Sequence, residues 1–395
     1  MRDLIDEAKA DPSKIPAILA REAVEYYIKR QYEELVHDPA GLRSVANRRW
    51  EMDDSVEGLN SSLADDLAPG GPDIEHDKRL NFVFKQPSVY EIEDVVLSGP
   101  YAAGRTREGK YIPDMLGRPV THDSLRFPLR TTLLSEWRSS VVPLDRRPAS
   151  THRTAAVIHR PSGSQNYYHW IIDHLLKLRG VEHYEERTGD SVELIVSAHM
   201  PGFAKEALEL LGFGDHSITE WAGPHARVDT LVVPSWPEPT PGNLRWIRSR
   251  MTGSVSGTER ETGWVYVSRQ NASRGRKVAN FDEIAEVLRE FDVSIVRCED
   301  LSFVEQVRLF SSVDGIVAPH GAGLTNMIWA DRPSVIELFN GRVAMPFYVL
   351  ADVLDHHYVP VIGTPVETSG RRKPRDRDFT VEADVLRESL EGSQS

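Results

Sequence analysis

From residue 155 onward, short apolar runs alternate with longer amphipathic stretches. AAVIHR reads as a buried strand, YYHWIIDHLLKLRGVEHYEE as a helix, VELIVSA as a strand, FAKEALELLGF as a helix and RVDTLVVP as a strand. Unbroken apolar runs bounded by turn residues suit strands covered on both faces. Stretches with apolar positions three and four apart suit the helices that cover them. The order βαβαβ predicts a parallel sheet. SWPEPTPG then interrupts the pattern, NLRWIRSRM follows as a helix, and the polar stretch TGSVSGTERETG has too few apolar residues to join a core. A domain boundary is expected there, near residue 257.

The second half repeats the alternation more cleanly. WVYVSR, VSIVRC, GIVAP, SVIELF and YVPVIG read as strands, with helices expected over 281–290, 303–312, 323–330 and 346–354. Asn280 followed by Glu283, and Ser302 followed by Glu305, have the spacing of capping boxes. Right-handed crossovers then give a doubly wound sheet whose ligand crevice lies at the carboxyl ends of the strands. The predicted fold class is α/β, two Rossmann-like domains with an N-terminal helical extension. The expected divisions are 1–75 for the extension, with a charged helix near 15–37, then 76–256 and 257–366 for the two domains. The remainder, 367–395, is a basic loop and a helix packing back on the first domain.

Composition narrows the function classes. A chain of 395 residues, 40% of them hydrophobic, has room for about two cores. A net charge of −13 argues against nucleic acid as a partner, because phosphate backbones select basic surfaces. A phosphate-bearing ligand must then find a local basic pocket. No apolar run approaches the roughly 18 residues of a membrane span, and MRDLIDEAKADPSK lacks the apolar core of a secretory signal, which sets the cytoplasm as the expected compartment. The basic run Arg371–Arg377 leaves room for peripheral membrane contact. The single cysteine, Cys298, excludes an internal disulfide, and its apolar setting reads as a buried structural thiol.

Candidate chemistry gathers at strand ends. In IVAPHGAGLTNMIW a strand stops at Pro319 and His320, and Gly321 and Gly323 let the backbone turn into a new helix. Free N–H groups, a helix dipole and the Thr325 hydroxyl suit a phosphate there. SRQNASRGRKVAN, after the first strand of the same half, packs Arg269, Arg274, Arg276 and Lys277 into nine positions. By strand polarity the two loops flank one crevice, so guanidinium groups would face a diphosphate held by the turn. Glu337 stands near the end of SVIELF, where it would meet ribose hydroxyls or pair with Arg342. In NYYHWIIDHLLKL, His169 and Asp173 lie four residues apart on one helix face, the spacing of an oriented general base, with His174 near the same face. No Asp-x-Asp loop offers a magnesium-diphosphate site in the second half, so no metal is expected.

These blocks, NYYHWIIDHLLKL, VYVSRQNASRGRKVANFDE, LSFVEQVRLFSSVDGIVAPHGAGLTNMIW and SVIELF, resemble in content and order the catalytic region of glycosyltransferase family 61, over roughly residues 80–365. The resemblance implies a GT-B architecture facing a cleft, inverting transfer from a nucleotide sugar, and no dependence on a bound metal or other cofactor. It places Arg269, Arg276 and Lys277 on the diphosphate. It makes His320, Gly321, Ala322, Gly323, Leu324, Thr325 and Asn326 the nucleotide turn, and Glu337 a ribose or base contact. The donor is taken as UDP-linked, and the acceptor as a glycan or lipid-linked glycan hydroxyl deprotonated by His169 with Asp173 as its orienter. Two other readings share the architecture: another group transfer, such as pyruvyl transfer, and a non-catalytic nucleotide-binding protein, for which His169→Ala would leave function unchanged.

Overall fold

The computed structural model describes residues 41–54, 84–116, 128–135, 150–158, 165–223, 225–255, 263–366 and 373–394, with 59–60, 81–82 and a few single positions between 16 and 30. Most of the helix expected near 15–37, and the linker around 256–262, fall outside them.

Apolar runs of the second half form a five-stranded sheet, and the main sheet of the first half has seven strands. The first half comprises β1 (Arg48–Glu51), β2 (Ser88–Ser98), β3 (Ala103–Arg105), β4 (Thr151–Val157), β5 (Glu193–Ser197), β6 (Ile218–Trp221) and β7 (His225–Pro234). They are ordered β1-β2-β7-β4-β5-β6, with β3 paired to β2. The expected parallel unit is present in β7, β4, β5 and β6. An antiparallel flank, β1 on β2 and β2 on β7, extends it.

That flank corrects the expected extension over 1–75. Residues 48–51 are part of the first sheet, and Asp54 just after them is fully buried. Its carboxylate accepts from Arg179 Nη1 at 2.8 Å, Thr240 Oγ1 at 2.6 Å and the Gly242 N–H at 2.9 Å. A Cβ on Gly242 would collide with that carboxylate, so glycine is required for the approach.

The second sheet contains β8 (Trp264–Val267), β9 (Val293–Val296), β10 (Gly315–Pro319), β11 (Ser334–Phe339) and β12 (His357–Ile362). All pairs are parallel and the order is β9-β8-β10-β11-β12. The inner strands β8, β10 and β11 read as continuous apolar runs because both faces are covered, whereas the edge strand β9 leaves Ile295 exposed. Val265, Val267, Ile316 and Ala318 face one core, and Trp264, Tyr266, Val317 and Ile336 face another.

Helices fill the space between the two sheets. From the first half come α1 (Tyr167–His169), a π-helical segment (Trp170–Leu175), α2 (Lys177–Thr188), α3 (Gly202–Leu210) and α4 (Pro241–Ser254). From the second come α6 (Phe303–Phe310), a 3-10 segment (Ala322–Trp329) and α7 (Pro346–Val353), while α5 (Phe281–Glu290) covers the opposite face. One apolar core runs through this layer, with Trp170, Leu178, Leu208 and Ile247 from one half and Phe303, Phe310, Ile328 and Trp329 from the other. Among the described residues the halves are therefore joined by packed side chains, beyond simply facing each other.

Two further expectations change. Among the described residues, the last helix, α8 (Ala383–Gln394), packs chiefly on α5 and β12 of the second half, where packing on the first domain was expected. Its buried Leu386 and Leu390, four residues apart, complete the core formed by Ile284, Val287 and Leu288. Ser302 and Glu305 form the expected capping box on α6, but Asn280 makes no cap bond on α5. Its amide instead donates to Val381 O and accepts from Val381 N–H, which fastens the segment leading to α8.

Candidate functional site

The strand order of the second sheet has its reversal between β8 and β10, where neighbouring connections leave in opposite directions. A crevice opens at such a point beyond the carboxyl ends of the strands. Arg269 follows β8 and the turn at His320 and Gly321 follows β10, so the two expected loops do meet there. Their closeness is direct: a Cβ on Gly321 would collide with the guanidinium of Arg269.

Arg276 joins them from the same loop. Gly275 and Arg276 both have positive φ, 76° and 60°, which turns the chain back on itself. For an arginine that conformation is strained by about 1 kcal/mol, a feature that clusters at functional sites. Burial, and then the neighbouring Arg276, holds Arg269 down to about 10. Arg276 is lowered by its own burial, with Asp376 opposing. The Nε of each is buried without a partner, and neither forms an ion pair with a carboxylate among the described residues. Two partly buried like charges with unused donors form a site that an anion would relieve. Lys277 is half-buried beside them, its N–H bonded to Asp378 at 2.9 Å.

The glycine turn is narrower than its sequence implied. Leu324 N–H reaches Gly321 O at 2.9 Å, and residues 322–329 continue as a 3-10 helix. Ala322 and Gly323 are partly exposed, whereas Leu324, Thr325 and Asn326 are buried. A Cβ on Gly323 would lie 2.8 Å from Val267, so this glycine packs the turn on β8. The Thr325 hydroxyl is buried without a partner. Asn326 is occupied inside the fold: Oδ1 accepts from Tyr167 at 2.6 Å and Trp329 Nε1 at 3.0 Å, and Nδ2 donates to Gln306 at 3.0 Å. Its side chain therefore joins the two halves and is not presented to a ligand. Burial raises Tyr167 above its ordinary range, which keeps the phenol a donor. Cys298, beside the same network, is pushed up to about 12 by burial and then by Glu299, in keeping with a structural thiol.

Glu337 also departs from its expected place as an open acceptor. It is fully buried, and each oxygen has a protein partner. Oε1 is 2.5 Å from His320 Nδ1, and Oε2 accepts from Tyr358 at 2.5 Å. Burial, then Glu337, raises Tyr358 well above the ordinary phenol range. Sequence reading missed Tyr358, whose only signal was a hydroxyl among the inward positions of YVPVIG.

In the first half, Asn166 caps α1 by accepting from the His169 N–H at 3.2 Å. His169 Nδ1 lies 2.7 Å from Asp173 Oδ2, the pair expected from their spacing. The chain widens to a π-helix directly after His169, a local form frequent at functional sites. His174 points into the protein and is buried. Aromatic rings lead from one half to the other: His169 meets Tyr168 at 5.5 Å, Tyr168 meets Phe347 at 5.5 Å, and Phe347 meets His320 at 5.4 Å. The pairs His169–Asp173 and His320–Glu337 thus border one seam.

Beyond the ends of β11 and β12, on the same sheet edge, lies a cavity of about 670 Å³ bordered by Asn340, Arg342, Gly363 and Arg377. Asn340 fixes its rim by donating to the carbonyls of Pro374 and Arg377. Among the described residues, no group of three or more His, Cys, Asp or Glu could hold a metal ion, and no helix is long and apolar enough to cross a membrane.

The family match with known proteins falls on the same segments. The chain is 32% identical over 90 residues to the EGF domain-specific O-linked N-acetylglucosamine transferases of Mus musculus, Pan troglodytes and Bos taurus. Each match covers 21% of this chain and 17% of the relative. The sequence model of the family described as Glycosyltransferase 61 matches residues 167–336, a span that begins at the Asn166-capped helix and ends one residue before Glu337. Through this region the chain is similar to the glycosyltransferase 61 family.

Proposed function

We propose that the protein is an inverting glycosyltransferase that moves a sugar from a nucleoside-diphosphate sugar to a hydroxyl of a glycan or lipid-linked glycan. The observation that carries this reading is a pair of partly buried arginines, Arg269 against the Gly321 turn and Arg276 beside it, neither in an ion pair with a carboxylate among the described residues. Their charges would neutralise a departing diphosphate without a metal. The cavity beyond β11 and β12 gives the nucleoside room on the same edge. A GT-B arrangement fits two sheets with one seam between them, and UDP is the nucleotide to try first.

In this reading His169 is the base. Asp173 holds Nδ1, so Nε2 accepts the acceptor hydroxyl's proton as its oxygen attacks the anomeric carbon. The new C–O bond forms on the face opposite the leaving group. The old C–O bond breaks, its electron pair stays with the diphosphate, and configuration inverts. Lys277 and the backbone of Gly321–Gly323 would add donors to the leaving group.

Thermal-shift titrations with UDP, GDP, ADP, CDP and dTDP, with and without magnesium, test the reading. One diphosphate should raise the melting temperature without metal, and Arg269→Ala should remove that rise. Absence of a shift with every diphosphate would overturn the nucleotide-sugar assignment.

A further inference from the structure

His320 entered the site as part of a glycine turn, yet its side chain is the most tightly determined group there. Its ring lies against Phe339, nearly parallel at 24° with centroids 5.7 Å apart, and meets Phe347 edge-on at 5.4 Å. Nδ1 is bonded to Glu337, which is itself fixed from the other side by Tyr358. The ring has no freedom to choose another partner for Nδ1. Nε2, by contrast, has no partner among the described residues, and the side chain retains 21% of its exposure. The next residue, Gly321, touches the guanidinium of Arg269, so the histidine stands beside the anion site.

The charges around it set what Nε2 can do. Glu337 is the carboxylate bonded to the imidazole, Tyr358 is a neutral donor to that carboxylate, and Arg269 and Arg276 are the neighbouring cations. A neutral imidazole donating from Nδ1 to Glu337 would present a bare acceptor at Nε2, which repels an anion. An imidazolium presents an N–H donor there, and its charge is balanced by a carboxylate buried behind it. Diphosphate in front and Glu337 behind are thus both complementary to an N–H donor at Nε2.

We infer that His320, positioned by Glu337 and Tyr358, is the proton donor to the departing diphosphate. This rests on the nucleotide-sugar reading and names the residue that completes its leaving-group chemistry. As the anomeric C–O bond breaks, its electron pair passes to the diphosphate oxygen and the Nε2 proton moves onto the diphosphate. His320 is left neutral, its remaining proton on Nδ1 and hydrogen-bonded to Glu337. The proton taken from the acceptor by His169 stays in the other half, so the two histidines do opposite work on the two sides of the seam.

The test uses the full chain with inorganic pyrophosphate and the five nucleoside diphosphates as probes. Affinity is measured by calorimetry from about pH 6 to about pH 8.5, below the range in which Arg269 loses its charge, for the wild type, His320→Gln and Tyr358→Phe. One linked proton makes wild-type affinity fall about tenfold per pH unit once Nε2 is deprotonated. His320→Gln should bind with a flat alkaline profile, and Tyr358→Phe should move the wild-type fall along the pH axis without removing it. A merely structural role would weaken binding at all pH values and leave the profile's shape alone. Binding by the wild type with the same alkaline profile in His320→Gln would overturn the proton-donor role and leave the nucleotide-sugar reading standing. If no diphosphate binds the wild type, both fall together.

Discussion

Of the histidine–carboxylate pairs among the described residues, the two that border the seam have similar lengths and opposite settings. His169 and Asp173 sit one helical turn apart on the surface of the first half, with His169 48% exposed. His320 and Glu337 come from two strand ends in the second half, and Glu337 is fully buried. Water competes for the first pair, so it is a weak contact that leaves the imidazole able to move with an acceptor. Burial makes the second pair obligatory, because either partner left alone would be a desolvated polar or charged group. The difference suits their proposed tasks: a base must meet acceptors that arrive from solution, whereas a leaving-group donor must be fixed against a diphosphate.

Removing each carboxylate should expose that contrast most strongly. Glu337→Ala would strand His320 Nδ1 and the Tyr358 hydroxyl and open a void, a loss of about 3 to 5 kcal/mol in urea unfolding. Asp173→Ala should fall within about 1 kcal/mol of wild type. Equal losses would break the comparison.

A third histidine sharpens it. His356 is more deeply buried than His320, and among the described residues it has no carboxylate bonded to it, only the Met327 carbonyl at 3.1 Å. Burial holds it from 6.5 down to about 4, with Arg248 also lowering it and Asp331 and Asp355 opposing. Below about pH 6.5 the unfolded chain takes a proton that the folded protein refuses, so stability falls as pH drops toward about 4. The loss is on the order of 3 kcal/mol. His356→Gln should flatten unfolding free energy across that window, and an unchanged slope would assign the acid sensitivity elsewhere.

The smallest effect concerns the bond that crosses the seam. Tyr167→Phe removes one of two donors to Asn326 Oδ1 and leaves Trp329 in place. A loss of about 1 kcal/mol is expected in denaturant unfolding. A loss several times larger would mean that the two halves depend on this one bond more than on their shared apolar core.

Much of the second half was legible because its physics is local. Continuous apolar runs between turn residues marked β8 to β12, and Ser302 with Glu305 marked the start of α6, since both depend on residues within a few positions of each other. His169 with Asp173 was legible for the same reason, although the π-helical widening that follows was not. Strand polarity sufficed to bring the Arg269 loop and the Gly321 turn to one crevice.

The sequence by itself thus determined the parallel strands, the clustering of arginines and glycines at their carboxyl ends, and the short-range pairs. Tertiary structure decided which polar groups face inward. Asn326 turned into a buried junction with Tyr167, and Glu337 took His320 and Tyr358, 17 and 21 residues away in the chain, as its partners. It also placed β1 in the first sheet and α8 on the second half. Periodicity reports which face of an element is apolar, but it does not say which distant surface will cover that face. That choice is made when the chain closes and every buried donor and acceptor must find a partner.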